Sequence, residues 1–353
     1  MKQRLTVRVF RLFLPILLVA SSAHAHAAST ESNMVNPFPT VRPWCFGHFV
    51  IGLPTQSAVS AQEFAYDGYK IETVRNVSQS EFQTRVAARE NELRTKRRVD
   101  PSDGNVPTKS ALLQMAASPD QHSRILVFSD VQVPDVDLSF DVEGYAHAGS
   151  NMYILKTQAD SEYLPKLVTN DGPILTGVRY REDQTIPTEK GFCFEGGYIT
   201  GKTSQSEDVV QSFALLPGKP ALLNIEIRDA VDTDGNTSLL STLPDLRRQI
   251  ESKGVGGQVK VLREGKRKLA GMDAEEVLMS VGDGATHLYR FYLLANGSPS
   301  NAAEPHTSVE MDLGDLSPGG KLTAQDASPL DEASAIAAWD ALLNSMHLRP
   351  GAL

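Results

Sequence analysis

Two cysteines in 353 residues, Cys45 and Cys193, are too few for a disulfide-dense miniprotein or a multi-cysteine metal site. Histidines are equally sparse. Beyond residue 26 the chain has His48, His122, His147, His287, His306 and His347, scattered singly, with no H-E-x-x-H pair. G-x-S-x-G is missing too, which removes the strained elbow that presents the nucleophile of an α/β hydrolase. The nearest imitation, "AHAGSNM" around Ser150, lacks the second glycine and reads as a hairpin turn. No phosphate-cradling glycine loop opens a helix, since "KGVGG" (residues 253–257) precedes a strand pattern. Basic charge is in short supply as well. Without Lys2, Arg4, Arg8 and Arg11, the chain carries 30 basic against 43 acidic residues, a net charge of −13. Nucleic acid is therefore a poor partner, because binding it requires clustered Lys and Arg.

What is present begins with a leader. A basic stretch, an apolar run from Val9 to Ala20 and small residues at Ala23-His24-Ala25 form a secretory signal, with cleavage expected after Ala25. The run is too short to span a bilayer, and no later stretch is long enough, so the exported chain is expected to lack an integral membrane segment. In an oxidising compartment Cys45 and Cys193 are either a disulfide or two separately buried thiols.

At 41% hydrophobic and 22% charged residues, the composition is that of an ordinary folded protein with material for about two cores. Residues 26–42 read as a flexible lead-in. Strand patterns follow at Trp44–Pro54 and Phe64–Val74, then a helix from Ser78, whose side chain and Glu81 make a capping box, with Phe82, Val86 and Leu93 on one face. Strands recur at Arg124, Val136 and Asn151. The second half repeats the plan: "GFCFEGGYITG" from Gly191, strands from Asp208 and Ala221, a helix over about 239–251, four more strands, and a last helix beginning at Ser328-Pro329. Ile336, Trp339, Leu343 and Met346 fall on one face of that helix. "CFGHFVIG" at Cys45 answers "CFEGGYITG" at Cys193. The expectation is an α+β protein of two mixed domains with antiparallel sheets, the second a duplicate of the first, divided as 43–170 and 171–353.

Two surface features stand out. In "DAVDTDGNTS", Asp232, Asp234 and Asn236 alternate like Ca²⁺ ligands, but Gly and Glu are absent from the loop positions a calcium hand requires. Asp229, Asp232 and Asp234 are better read as a solvated, partner-facing acidic loop. "RTKRR" (residues 94–98) closes the first helix, where cations suit the dipole; contact with lipid headgroups or an acidic partner is the alternative.

"RPWCFGHFVIGLP", "IPTEKGFCFEGGYITG", "KRKLAGMDAEEVL" and "AAWDALLNSMHLRP" together resemble the Tle-cognate immunity proteins, which protect against type VI secretion lipase effectors. The resemblance implies a two-domain periplasmic inhibitor whose partner is a phospholipase effector, acting by stoichiometric occlusion, with no catalytic residue, metal or cofactor. The competing readings are an exported hydrolase with a dispersed active site and a periplasmic lipid carrier.

Overall fold

A computed structural model describes residues 37–132, 139–201, 203–204, 206–252, 254, 256–282, 286–315 and 325–353. The leader, its cleavage site at Ala25 and residues 26–36 of the lead-in lie outside the described residues.

The first half runs β1 (Val41–Phe46), β2 (Phe49–Pro54), β3 (Ala58–Tyr66), β4 (Tyr69–Arg75), α1 (Gln79–Thr95), β5 (Arg97–Asp100), β6 (Val106–Ala111), β7 (Leu113–Ala117), β8 (Ser123–Phe128), β9 (Phe140–Ala148), β10 (Asn151–Ala159), α2 (Leu164–Thr176) and β11 (Val178–Tyr180). The second runs β12 (Phe192–Phe194), β13 (Gly197–Ile199), β14 (Glu207–Ala214), β15 (Ala221–Arg228), α3 (Leu239–Ser252), β16 (Val259–Leu269), β17 (Met272–Gly282), β18 (His287–Ala295), β19 (His306–Leu313), α4 (Glu332–Ser345) and β20 (His347–Leu348).

Twelve strands form one antiparallel sheet in the order β16-β17-β18-β19-β15-β14-β3-β4-β10-β9-β8-β7. Counted outward from its centre, each half gives a hairpin, then the last strand of a four-strand meander, then the other three in reverse. The duplicated topology is thus visible in the strand order, and β14 against β3 joins the halves. The small sheets carry the correspondence further. β1-β2-β20 and β12-β13-β11 each combine the hairpin of one half with the closing strand of the other. The halves therefore exchange strands reciprocally, and Cys45 and Cys193, bonded with their Cα atoms 5.9 Å apart, tie the two hairpins together. A division between residues 170 and 171 would cut α2.

Local sequence explains these elements. Phe64–Val74 is two strands rather than one, because Asp67 and Gly68 adopt positive φ (53° and 77°), the hairpin geometry that an Asp-Gly pair favours. Trp44–Pro54 likewise turns at Gly47. Ser78 caps α1 by accepting from the Glu81 amide at 3.2 Å. The last helix starts later than its Ser-Pro signal: Asp331 is its N-cap, accepting from the Ser334 amide at 2.7 Å, and that bond holds its carboxyl below the usual range. Pro173 and Pro244 sit inside α2 and α3.

One face of the sheet, here the inner face, packs against α2, α4 and the small sheets around one continuous core that includes Phe46, Tyr153, Phe194, Phe213, Phe291 and Trp339. Gly144 on β9 permits the approach of α2; a Cβ there would lie 2.9 Å from Leu175 Cδ2. On the outer face, α1 covers β7 to β9 through Phe82, Val86 and Leu93, and α3 covers β16 and β17 through Leu243. Among the described residues no helix is long and apolar enough to cross a membrane.

Candidate partner-binding surface

Because α1 and α3 sit over the two ends of the outer face, no helix among the described residues covers the central strands between them. Their sequences alternate accordingly. In β14, β15 and β19, Val209, Phe213, Leu223, Ile225, Val309 and Met311 turn inward, while Asp208, Asn224, Glu226, Ser308, Glu310 and Asp312 point outward. Glu310 stands opposite Asn224 on one side and Tyr292 on the other. Partial burial, helped by the charge of Asp312, pushes its carboxyl up to about 7. Burial raises Asp312 and Asp208 as well. Arg290 meets Asp312 at 3.1 Å but otherwise donates to the carbonyls of Tyr289, Leu313 and Gly314. The result is a broad face whose charge is mainly negative.

The loop expected to be a solvated acidic patch divides in the structure. Asp232 is exposed, whereas Asp234 is buried, accepting from the two terminal Arg228 guanidinium nitrogens at 2.7 and 2.9 Å and from the Val231 amide. Those donors outweigh the cost of burial and lower its carboxyl. Asp229 is also turned inward, accepting from the Glu207 amide, and burial raises it. Of the three, Asp234 and Asp229 are structural because Arg228 and the Glu207 amide need an acceptor.

The most enzyme-like constellation lies at the seam of the halves. His48 Nε2 is 2.7 Å from Glu207, both side chains are buried, and Nδ1 contacts the Gly191 carbonyl at 3.1 Å. Phe192, Val209 and Asp229 complete a cavity of about 10 Å³. That is room for about one water and no substrate. Ser150 lies in the turn between β9 and β10, and among the described residues no three His, Cys, Asp or Glu side chains gather as metal ligands.

In the basic run at residues 94–98, Arg94, Lys96 and Arg97 are exposed and only Arg98 is buried. Arg94 pairs with Glu90 and Lys96 with Glu92, while Arg98 is buried and donates to the Ala111 carbonyl. Two of the sequence motifs meet each other. Trp339 and Asp340 of "AAWDALLN" face Arg267 and Glu276 of "KRKLAGMDAEEVL": Trp339 Nε1 donates to Glu276 at 2.9 Å, and Asp340 accepts from Arg263 at 2.6 Å and Arg267 at 2.9 Å. These motifs are packing signatures. The outer face was not legible from the sequence, since its acidic residues come from strands far apart in the chain, although the period-2 alternation of β14, β15 and β19 carries the signal.

A family model described as the Tle cognate immunity protein 4 N-terminal domain matches residues 42–185, and the corresponding C-terminal domain matches residues 185–351. Solved structures with a similar fold include the apo immunity protein TplEi of the type VI secretion system from Pseudomonas aeruginosa, at 20% identity over 88% of this chain and 97% of that one, with a TM-score of 0.74. A chain from the Tle4-Tli4 complex matches at 21% identity over 88% of this chain and 98% of that one, with a TM-score of 0.72. TplEi complexed with "L" peptide matches at 20% identity, over 89% and 99%, with a TM-score of 0.70. Comparison with curated proteins gave no match.

Proposed function

This chain belongs to the Tle cognate immunity protein 4 family, and on that premise we propose that it is an exported, periplasmic immunity protein that binds a phospholipase effector and blocks it without chemistry of its own. The observation carrying this reading is that the two family domains together span residues 42–351. The related fold has been solved in the Tle4-Tli4 complex and with a peptide bound, which supports a protein partner. We read the chain as two immunity units meeting near residue 185 and acting as one body through their exchanged strands.

A lipase must expose an apolar surface to reach lipid, so covering the mouth of its site suffices for inhibition. A specific interface of this kind buries about 1,600 Å² in total. The acidic outer face speeds encounter with a basic surface of the toxin. Purified lipase from the neighbouring reading frame, titrated with this chain while lipid hydrolysis is followed, should lose activity linearly up to one equivalent. Full inactivation at strongly substoichiometric amounts would mean that the chain turns over and is an enzyme.

A further inference from the structure

The central sheet is split. β3 pairs with β14 along its whole length, yet with β4 only at Phe64–Ile71, Ala65–Lys70 and Tyr66–Tyr69. Before Phe64 the two strands part, and β4 continues on β10 through Arg75. Residues 58–63 of β3 and 72–75 of β4 thus each present a strand edge with no strand partner among the described residues. Two local features hold the split open. Ser60 is an extra residue in β3, since Ala61 faces Ser212 and Val59 faces Phe213, and such a bulge bends its strand. On the other side Thr73 donates to the Glu195 carbonyl at 2.8 Å, and Arg75 pairs with Glu195 and Asp183, fixing β4 to the β12–β13 turn.

The rest of the sheet shows how this chain treats an edge that must stay unpaired. Outer strand β16 exposes Lys260, Lys266 and Lys268 and carries a bulge near Leu262, and the other outer strand, β7, is interrupted at Gln114. By contrast Ala58, Val59, Ser60 and Ala61 are all exposed and include no charge and no proline, the first charge on this edge being Glu63 at its inner end. An edge left unpaired beside a second edge that has no strand partner among the described residues is a template for an added strand.

Resting on the reading of the chain as an effector-binding protein, we propose that the split between β3 and β4 takes up an extended segment of the effector, which pairs with residues 58–63 as an added strand. An extended polypeptide is the ligand that offers backbone donors and acceptors at the spacing of roughly 3.3 Å per residue along such an edge, and the small side chains of Ala58, Ser60 and Ala61 leave the approach open. The outer edges a second copy would offer are guarded by lysines or interrupted, and pairing of two copies through their own residues 58–63 is the outcome that slow exchange in the free chain would report.

Backbone hydrogen exchange read by mass spectrometry, on the full exported chain alone and with the neighbouring lipase, tests this. The amides of residues 58–63 that point away from β14 should exchange fast in the free chain at every concentration and at least tenfold more slowly in the inhibited complex, while β16 is unchanged. An inhibited complex in which residues 58–63 exchange as before overturns this inference and leaves the functional reading intact. Slow exchange already present in the free chain also overturns it, because the split would then be filled by the chain itself or by a second copy. If no complex forms, the functional reading falls and this one with it.

Discussion

Arg181 and Arg349 occupy equivalent points in the two halves, each directly after the short strand that its half lends to the other. Each buries its guanidinium against main-chain carbonyls: Arg181 donates to Phe194 and Asp183, Arg349 to Pro187, Glu189 and Gly191. Burial lowers Arg181 to about 10, so it keeps its charge at neutral pH. A cation with five donors in a fixed fork is what can satisfy several carbonyls of an irregular segment at once.

Arg349→Ala should therefore take the guanidinium from the Pro187 and Glu189 carbonyls and leave Gly191 with only its contact to His48 Nδ1 at 3.1 Å. A loss of about 3 kcal/mol or more is expected, read as a shift of the urea midpoint, with Arg349→Lys falling between it and the native chain. An unshifted midpoint would mean that water replaces the guanidinium without cost.

Trp339 is fully buried, edge-on to Phe291 at 5.8 Å, with its indole N–H on Glu276. Trp339→Ala should cost something like 3–5 kcal/mol, the range for emptying a large aromatic site. Trp339→Phe keeps most of the volume and removes only one of the donors to Glu276 Oε2, which Arg267 still meets at 3.0 Å, so it should cost less. Thermal melts of both variants check the order.

Much of this organisation could be read in advance because it is local. The cap of α1 is written in Ser78 and Glu81, the face of α4 in the spacing of Trp339 and Leu343, and the repeat in the two Cys-Phe stretches. What escaped is long-range. That His347-Leu348 would pair with Val50 and Phe49 is a contact between the ends of the chain, and two dipeptides carry no periodicity. Asp232 and Asp234 look alike in the sequence. Arg228, placed by β15 beside Asp234 and not Asp232, makes one structural and leaves the other at the surface.

Glu310 gives the outer face a pH signature. Its carboxyl is raised from 4.5 to about 7, so between those values the folded chain holds a proton that the unfolded chain has lost. Stability contributed by the protonated form is present below about 4.5 and falls as pH rises towards 7 and above. Glu310→Gln should flatten that slope and raise stability at pH 8, on the order of 1 kcal/mol once solvent screening of a partly exposed group is allowed for. Denaturation midpoints at pH 5 and pH 8 for both proteins supply the comparison, and equal slopes would show that Glu310 titrates normally.

The two neighbouring aspartates separate recognition from folding. Asp232 is exposed, so Asp232→Asn should leave the melting temperature within error; if the loop rims the interface, it slows association with the lipase and weakens its salt dependence, with little change in dissociation. Asp234→Asn removes the charge that holds the half-buried Arg228 guanidinium, next to His306 at 3.6 Å, and should cost about 1–2 kcal/mol of stability. Stopped-flow association at two salt concentrations, together with melts, resolves the pair. A slowed association for Asp234→Asn with an unchanged melt would show that this carboxylate reaches the partner and that its bond to Arg228 is dispensable.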